Sequence, residues 1–80
     1  MKMTKNNVRE LLKDDNYNEA LAFAAQRVMK FKTEIGQDAE RERIYDKWIE
    51  WAYEFEEDDF ENDYSTNVMR IDSALFAAIN

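Results

Sequence analysis

Apolar residues recur along this chain at steps of three and four, a spacing that predicts helices almost throughout. Val8, Leu11 and Leu12 give a first short helix one apolar edge, and Asn7 with Glu10 forms the pattern of a capping box at its start. Asp14-Asp15-Asn16 interrupts it. Asn16 with Glu19 repeats the capping pattern, after which Tyr17, Leu21, Ala24, Val28, Phe31 and Ile35 fall on one face of a long second helix. Gly36 follows, suited to a left-handed C-cap that disfavours a side chain.

Asp38 is placed to cap a third helix whose inner face is Ile44, Trp48, Trp51, Ala52 and Phe55. On its opposite side Asp46, Glu50, Glu54, Glu57 and Glu61 would align as a carboxylate stripe. Continued without a break, the same helix would bring Asp59 among Trp48, Ala52 and Phe55, where an unpaired charge is costly. A break or bend is therefore expected near Glu57 to Asp59. Ser65, Thr66 and Asn67 offer caps for a last helix, with Val68, Ile71, Leu75 and Ile79 facing inward. One Gly and no Pro fit helices joined by short polar turns. The expected fold is all-α, a compact bundle of three or four short helices in a single domain over residues 1–80.

Composition narrows the setting. At 45% hydrophobic and 36% charged residues, the chain is that of a folded domain and not of a disordered tail. It has no Cys, so it has neither a disulfide framework nor thiol chemistry. Its start runs into charged helical sequence without the apolar stretch of a signal peptide, and no segment reaches the roughly 18 apolar residues of a membrane span. These features point to the cytoplasm.

Charge changes the picture most. The net charge is −7, yet residues 1–35 sum to +2 and residues 36–64 to −9. Between Trp48 and Met69 stand Glu50, Glu54, Glu56, Glu57, Asp58, Asp59, Glu61 and Asp63 with no Lys or Arg, interleaved with six aromatic residues. Such a block steers a cationic partner and repels nucleic acid and anionic membranes. Four like-charge pairs at helical spacing would cost on the order of 1–2 kcal/mol, near a helix C-terminus that already disfavours negative charge. A binding role would explain why that cost is tolerated; the alternative is a solvated face that aids solubility.

The aromatics divide in the same way. Trp48, Trp51 and Phe55 follow the apolar stripe and belong to the core. Tyr53, Phe60 and Tyr64 fall among the acids, either as anchors of an interface or, for Phe60, as a plug over the core. The candidate partner-binding residues in and beside the acidic, aromatic-rich segment at 48–64 are Asp46, Glu50, Tyr53, Glu54, Glu57, Asp58, Asp59, Phe60, Glu61, Asp63 and Tyr64. Ala22, Ala25 and Met29, or Met69 and Phe76, offer a face on which a homodimer would close, the alternative being ordinary core contact.

Catalytic and cofactor chemistry is not indicated. With no His and no Cys, the usual zinc sites and His-based triads are excluded. Asp59-Phe60-Glu61-Asn62-Asp63-Tyr64 begins like a calcium loop, but Tyr64 stands where Gly is needed and Arg70 where a bidentate Glu is needed. No glycine-rich phosphate loop is present. The sequence leads to no enzyme, no cofactor and no metal site.

In size, acidity and its run from Trp51 to Tyr64, the chain resembles the small acidic DNA-mimic inhibitors encoded by phages and mobile elements, including anti-restriction and anti-CRISPR proteins. Carboxylates at i, i+4 lie about 5–6 Å apart on a helix, close to the separation of backbone phosphates. The resemblance implies an inhibitor in the host cytoplasm that covers the basic surface of a defence nuclease or polymerase. The alternative from another class is a helical adaptor or regulatory subunit that binds a basic protein without blocking nucleic acid.

Overall fold

A computed structural model describes residues 2–56 and 63–77 of the chain. In the described residues the chain is all-α: α1 (Lys5–Leu11), α2 (Tyr17–Val28), α3 (Glu34–Glu56) and α4 (Tyr64–Asp72). A 3-10 turn, Asp14–Asn16, precedes α2, and a π-helical turn, Ser73–Ala77, extends α4. No described helix is long and apolar enough to cross a membrane.

The 23 residues of α3 make it the spine, about 35 Å at 1.5 Å per residue, and the molecule measures 39 Å along its longest axis. The other elements pack around it. Ile44, Trp48, Ala52 and Phe55 of α3 are fully buried, together with Val8, Leu11 and Leu12, Ala20, Ala24 and Val28, and Ile71, Ala74 and Leu75. Phe23 stacks on Trp48 with ring centroids 6.3 Å apart. The alanines at 20 and 24 let α2 approach closely, leaving room for that aromatic pair. Trp51 is half-buried at the edge of the core, with the Lys47 ammonium 5.7 Å from its ring centre.

Several expected boundaries move. The cap of α1 is Thr4 and not Asn7: the Thr4 hydroxyl accepts from the Asn7 backbone N–H, while the Asn7 amide donates to the Lys2 carbonyl. Asn16 does precede α2, but its side chain donates to the Glu10 carbonyl instead of capping. The same carbonyl also accepts from the Lys13 N–H at 3.3 Å, so the end of α1 is held from both sides.

The expected second helix running to Ile35 stops at Val28. The Phe31 N–H turns back to the Val28 carbonyl, and the Thr33 hydroxyl accepts from the Gly36 N–H at 3.0 Å to begin α3. Phe31 and Ile35 are consequently exposed, not on a buried face. Gly36 is not a C-cap. It lies in the first turn of α3, where a Cβ would stand 3.0 Å from Thr33 Oγ1 and 3.3 Å from Phe31 Cβ. Asp38 lies within α3 and pairs with Arg41 at 2.8 Å instead of capping.

The cap of α4 is Asp63, whose carboxylate accepts from the Thr66 N–H at 2.8 Å, and not Ser65, Thr66 or Asn67. Asn67 is fully buried instead, with no hydrogen-bond partner for its amide among the described residues. Ile71 and Leu75 face the core as expected, and Val68 is half-buried. Ile79 and the break expected at Glu57 to Asp59 lie outside the described residues.

Candidate functional site

Asp46, Glu50, Tyr53 and Glu54 all occupy the exposed side of the C-terminal half of α3, because Ile44, Trp48, Ala52 and Phe55 turn the opposite side into the core. Tyr53 is 64% exposed. Its ring meets that of half-buried Tyr64 edge to face, with centroids 5.9 Å apart and planes at 85°, so two residues distant in sequence form one aromatic ridge. Asp63 lies next to Tyr64 at the start of α4. Glu57, Asp58, Asp59, Phe60 and Glu61 lie outside the described residues.

The carboxylate row is partly compensated, contrary to the expectation that its repulsion stands alone. Lys5 of α1 reaches Glu54 at 3.5 Å, and Lys47 reaches Glu50 at 3.7 Å. The side chains of both pairs are substantially exposed, so each is worth about 0–1 kcal/mol and leaves most of the acidic field in place. Arg43, Asp46, Lys47 and Glu50 border one shallow depression of mixed charge.

Asp63 has a structural role that the acid count concealed. Hydrogen bonds from the Thr66 side chain and then its backbone hold the Asp63 carboxyl below the ordinary value for an aspartate. On the other flank, burial pushes the Tyr45 phenol above its ordinary value, with Asp72, Tyr64 and Asp46 adding to the effect. That phenol stays neutral at physiological pH and packs edge to face on Phe76 with centroids 5.4 Å apart.

One surface escaped the sequence reading as a unit, and a second gives form to the face of Met69 and Phe76 expected as a dimer surface. Met29, Phe31 and Ile35 protrude where α2 turns into α3, flanked by exposed Lys30 and Lys32. The available signal was Thr33, whose hydroxyl caps a helix beginning after it and so turns Phe31 and Ile35 away from the face of α2. The second is an open groove of about 580 Å³ along α4 and the π-helical turn, lined by Ser65, Val68, Met69, Asp72, Ser73 and Phe76. Among the described residues no group of three or more acids is placed to hold a metal ion.

No family model, curated protein or solved structure matches the chain. Its function is therefore argued from these surfaces alone.

Proposed function

We propose that this protein acts by stoichiometric binding and not by catalysis, presenting its acidic, aromatic edge to a protein whose basic surface ordinarily holds nucleic acid. The observation that carries this reading is the exposed Tyr53 ring on Tyr64, set among Asp46, Glu50 and Glu54 on one side of α3. Carboxylates supply the long-range attraction, and the aromatic ridge supplies the desolvated contact that gives an interface its strength. The paired rings of Tyr53 and Tyr64 on that edge are of the residue type enriched where proteins meet.

The target in this reading is a defence nuclease or a polymerase, and the outcome is inhibition by exclusion of nucleic acid. The ion pairs of Glu50 and Glu54 favour a second reading, in which the acids only orient the protein on a basic partner as an adaptor. Competition separates the two. An inhibitor and a nucleic acid displace one another from the target, whereas an adaptor forms a ternary complex at full nucleic-acid occupancy. That ternary complex would overturn the inhibitory reading.

A further inference from the structure

Two exposed apolar features on this chain are flanked by charges of opposite sign. The first is a knob: Met29, Phe31 and Ile35 are 63%, 42% and 84% exposed at the turn between α2 and α3. It is a braced turn. The Phe31 N–H bonds the Val28 carbonyl at 3.1 Å, the Gln37 amide donates to the Phe31 carbonyl at 2.9 Å, and Thr33 caps α3. Gly36 completes the brace by leaving room for the Phe31 side chain against the first turn of α3. Knob residues held in place lose little conformational entropy on docking.

The second is the groove of about 580 Å³ lined by Val68, Met69 and Phe76, with Ser65 and Ser73 between them. The groove is shallow and open to solvent along its length, the form of a surface that another protein covers. Met69 is 61% exposed on its wall. Asp72 lines it, and Tyr45 of α3 packs edge to face on Phe76 beside it. The one base on α4, Arg70, is turned away to Asp14 and the Leu12 carbonyl. The knob carries the opposite sign: Lys30 and Lys32 are exposed, and neither takes part in an ion pair among the described residues.

We infer that the groove takes the knob of a second copy of this chain, Met29, Phe31 and Ile35 entering among Val68, Met69 and Phe76 while Lys30 and Lys32 meet Asp72. Every chain carries both halves of the contact, and the dimer inferred is the closed arrangement in which a twofold axis lets two copies make it twice. This assembly does not depend on what the acidic edge recognises. It accounts for exposed apolar side chains on two separate parts of a small domain, a feature that marks interaction surfaces.

The test is a charge exchange read by sedimentation on the full chain. One variant carries Lys30→Asp with Lys32→Asp, the other Asp72→Lys. The unaltered protein is expected to sediment at twice its 9.6 kDa chain mass. Each variant alone sets like charges against each other and dimerises at least about tenfold more weakly, while an equimolar mixture of the two restores dimers containing one of each. A monomeric unaltered protein overturns the inference, as does a mixture that restores nothing or a variant that dimerises as well as the parent. Should either variant lose its helical circular dichroism, Met29→Ser with Ile35→Ser replaces it. That pair alters only exposed side chains and must itself weaken the dimer about tenfold.

Discussion

The guanidinium of Arg70 donates to the carbonyl oxygen of Leu12 at 2.5 Å, tying α4 to the end of α1 across 58 residues of sequence. The same side chain pairs with Asp14 and lies 5.7 Å from the centre of the Tyr17 ring, so one residue gathers three segments. Arg70 is 15% exposed and Asp14 76% exposed, which separates the two contributions. Arg70→Gln should lower unfolding free energy by about 1.5–3 kcal/mol, the range for a hydrogen bond from a charged donor. Asp14→Asn should cost less than about 1 kcal/mol, since its partner remains bonded to Leu12. Urea denaturation of the two variants checks the ordering.

Trp48 stands at the centre of the core and stacks on Phe23. Trp48→Ala is expected to cost about 3–5 kcal/mol, a large part of the stability of so small a domain. A loss below about 1 kcal/mol in the same denaturation series would contradict its burial.

Gly36 tests the turn at the start of α3. Replacing an exposed helical Gly with Ala ordinarily gains up to about 1 kcal/mol, but here the new Cβ presses on the capping hydroxyl of Thr33. Gly36→Ala should therefore destabilise the protein by about 0.5–1 kcal/mol. Thr33→Ala should cost about 1 kcal/mol through the lost cap. Combined, they should cost less than the sum of the single changes, because removing Oγ1 makes room for the Cβ.

The acidic edge should prove almost silent in stability. Glu54→Gln removes one exposed ion pair with Lys5 and some like-charge repulsion, so thermal unfolding should shift by less than about 0.5 kcal/mol either way. Tyr53→Ala should be similarly mild in the free protein, given its exposure. Target binding, measured by titration calorimetry, should weaken for both. Preserved binding alongside unchanged stability would remove the edge from the proposed interface.

Acid should reveal the cap at Asp63. Its folded pKa lies below the ordinary 3.8, so its stabilisation is present above that value and is lost as pH falls through the lower folded value. Asp63→Ala should melt at a lower temperature than the parent at neutral pH. The gap between the two melting temperatures should narrow as the solution is acidified well below 3.8. Circular dichroism melts at the two pH values check both statements.

The core of α3 was legible from spacing alone, because Ile44, Trp48, Ala52 and Phe55 must share a face in any helix that contains them. The reversal before α3 was not. Phe31 and Ile35 continue the spacing of α2, and periodicity carries no information about where a chain turns back. The capping potential of Thr33, set three residues before Gly36, was the competing signal, and it won because it supplied an acceptor for an otherwise open N–H. The cap of α4 was missed for a related reason: Asp63 was counted among the acids, and its place three residues before Thr66, which makes it the cap ahead of Ser65, Thr66 and Asn67, was passed over. Exposure of Glu50, Tyr53 and Glu54 followed from the helical pattern. The approach of Lys5 to Glu54 did not, since it depends on how α1 lies across α3.

Because α3 runs unbroken from Glu34 to Glu56, it also works as a ruler. Ile35 in the knob and Tyr53 in the acidic ridge sit on one rod, about 27 Å apart along its axis at 1.5 Å per residue. A single body that touched both would need matching features at that spacing, and compliance in the protein would not make up a mismatch. The rod fixes azimuth as well as distance. One residue inserted between Ile35 and Ile44 would swing the knob by about 100° relative to the ridge and lengthen the span by only about 1.5 Å, leaving Ile44, Trp48, Ala52 and Phe55 in register with one another. Binding modes that use one end would survive such an insertion, and a mode that uses both ends at once would not.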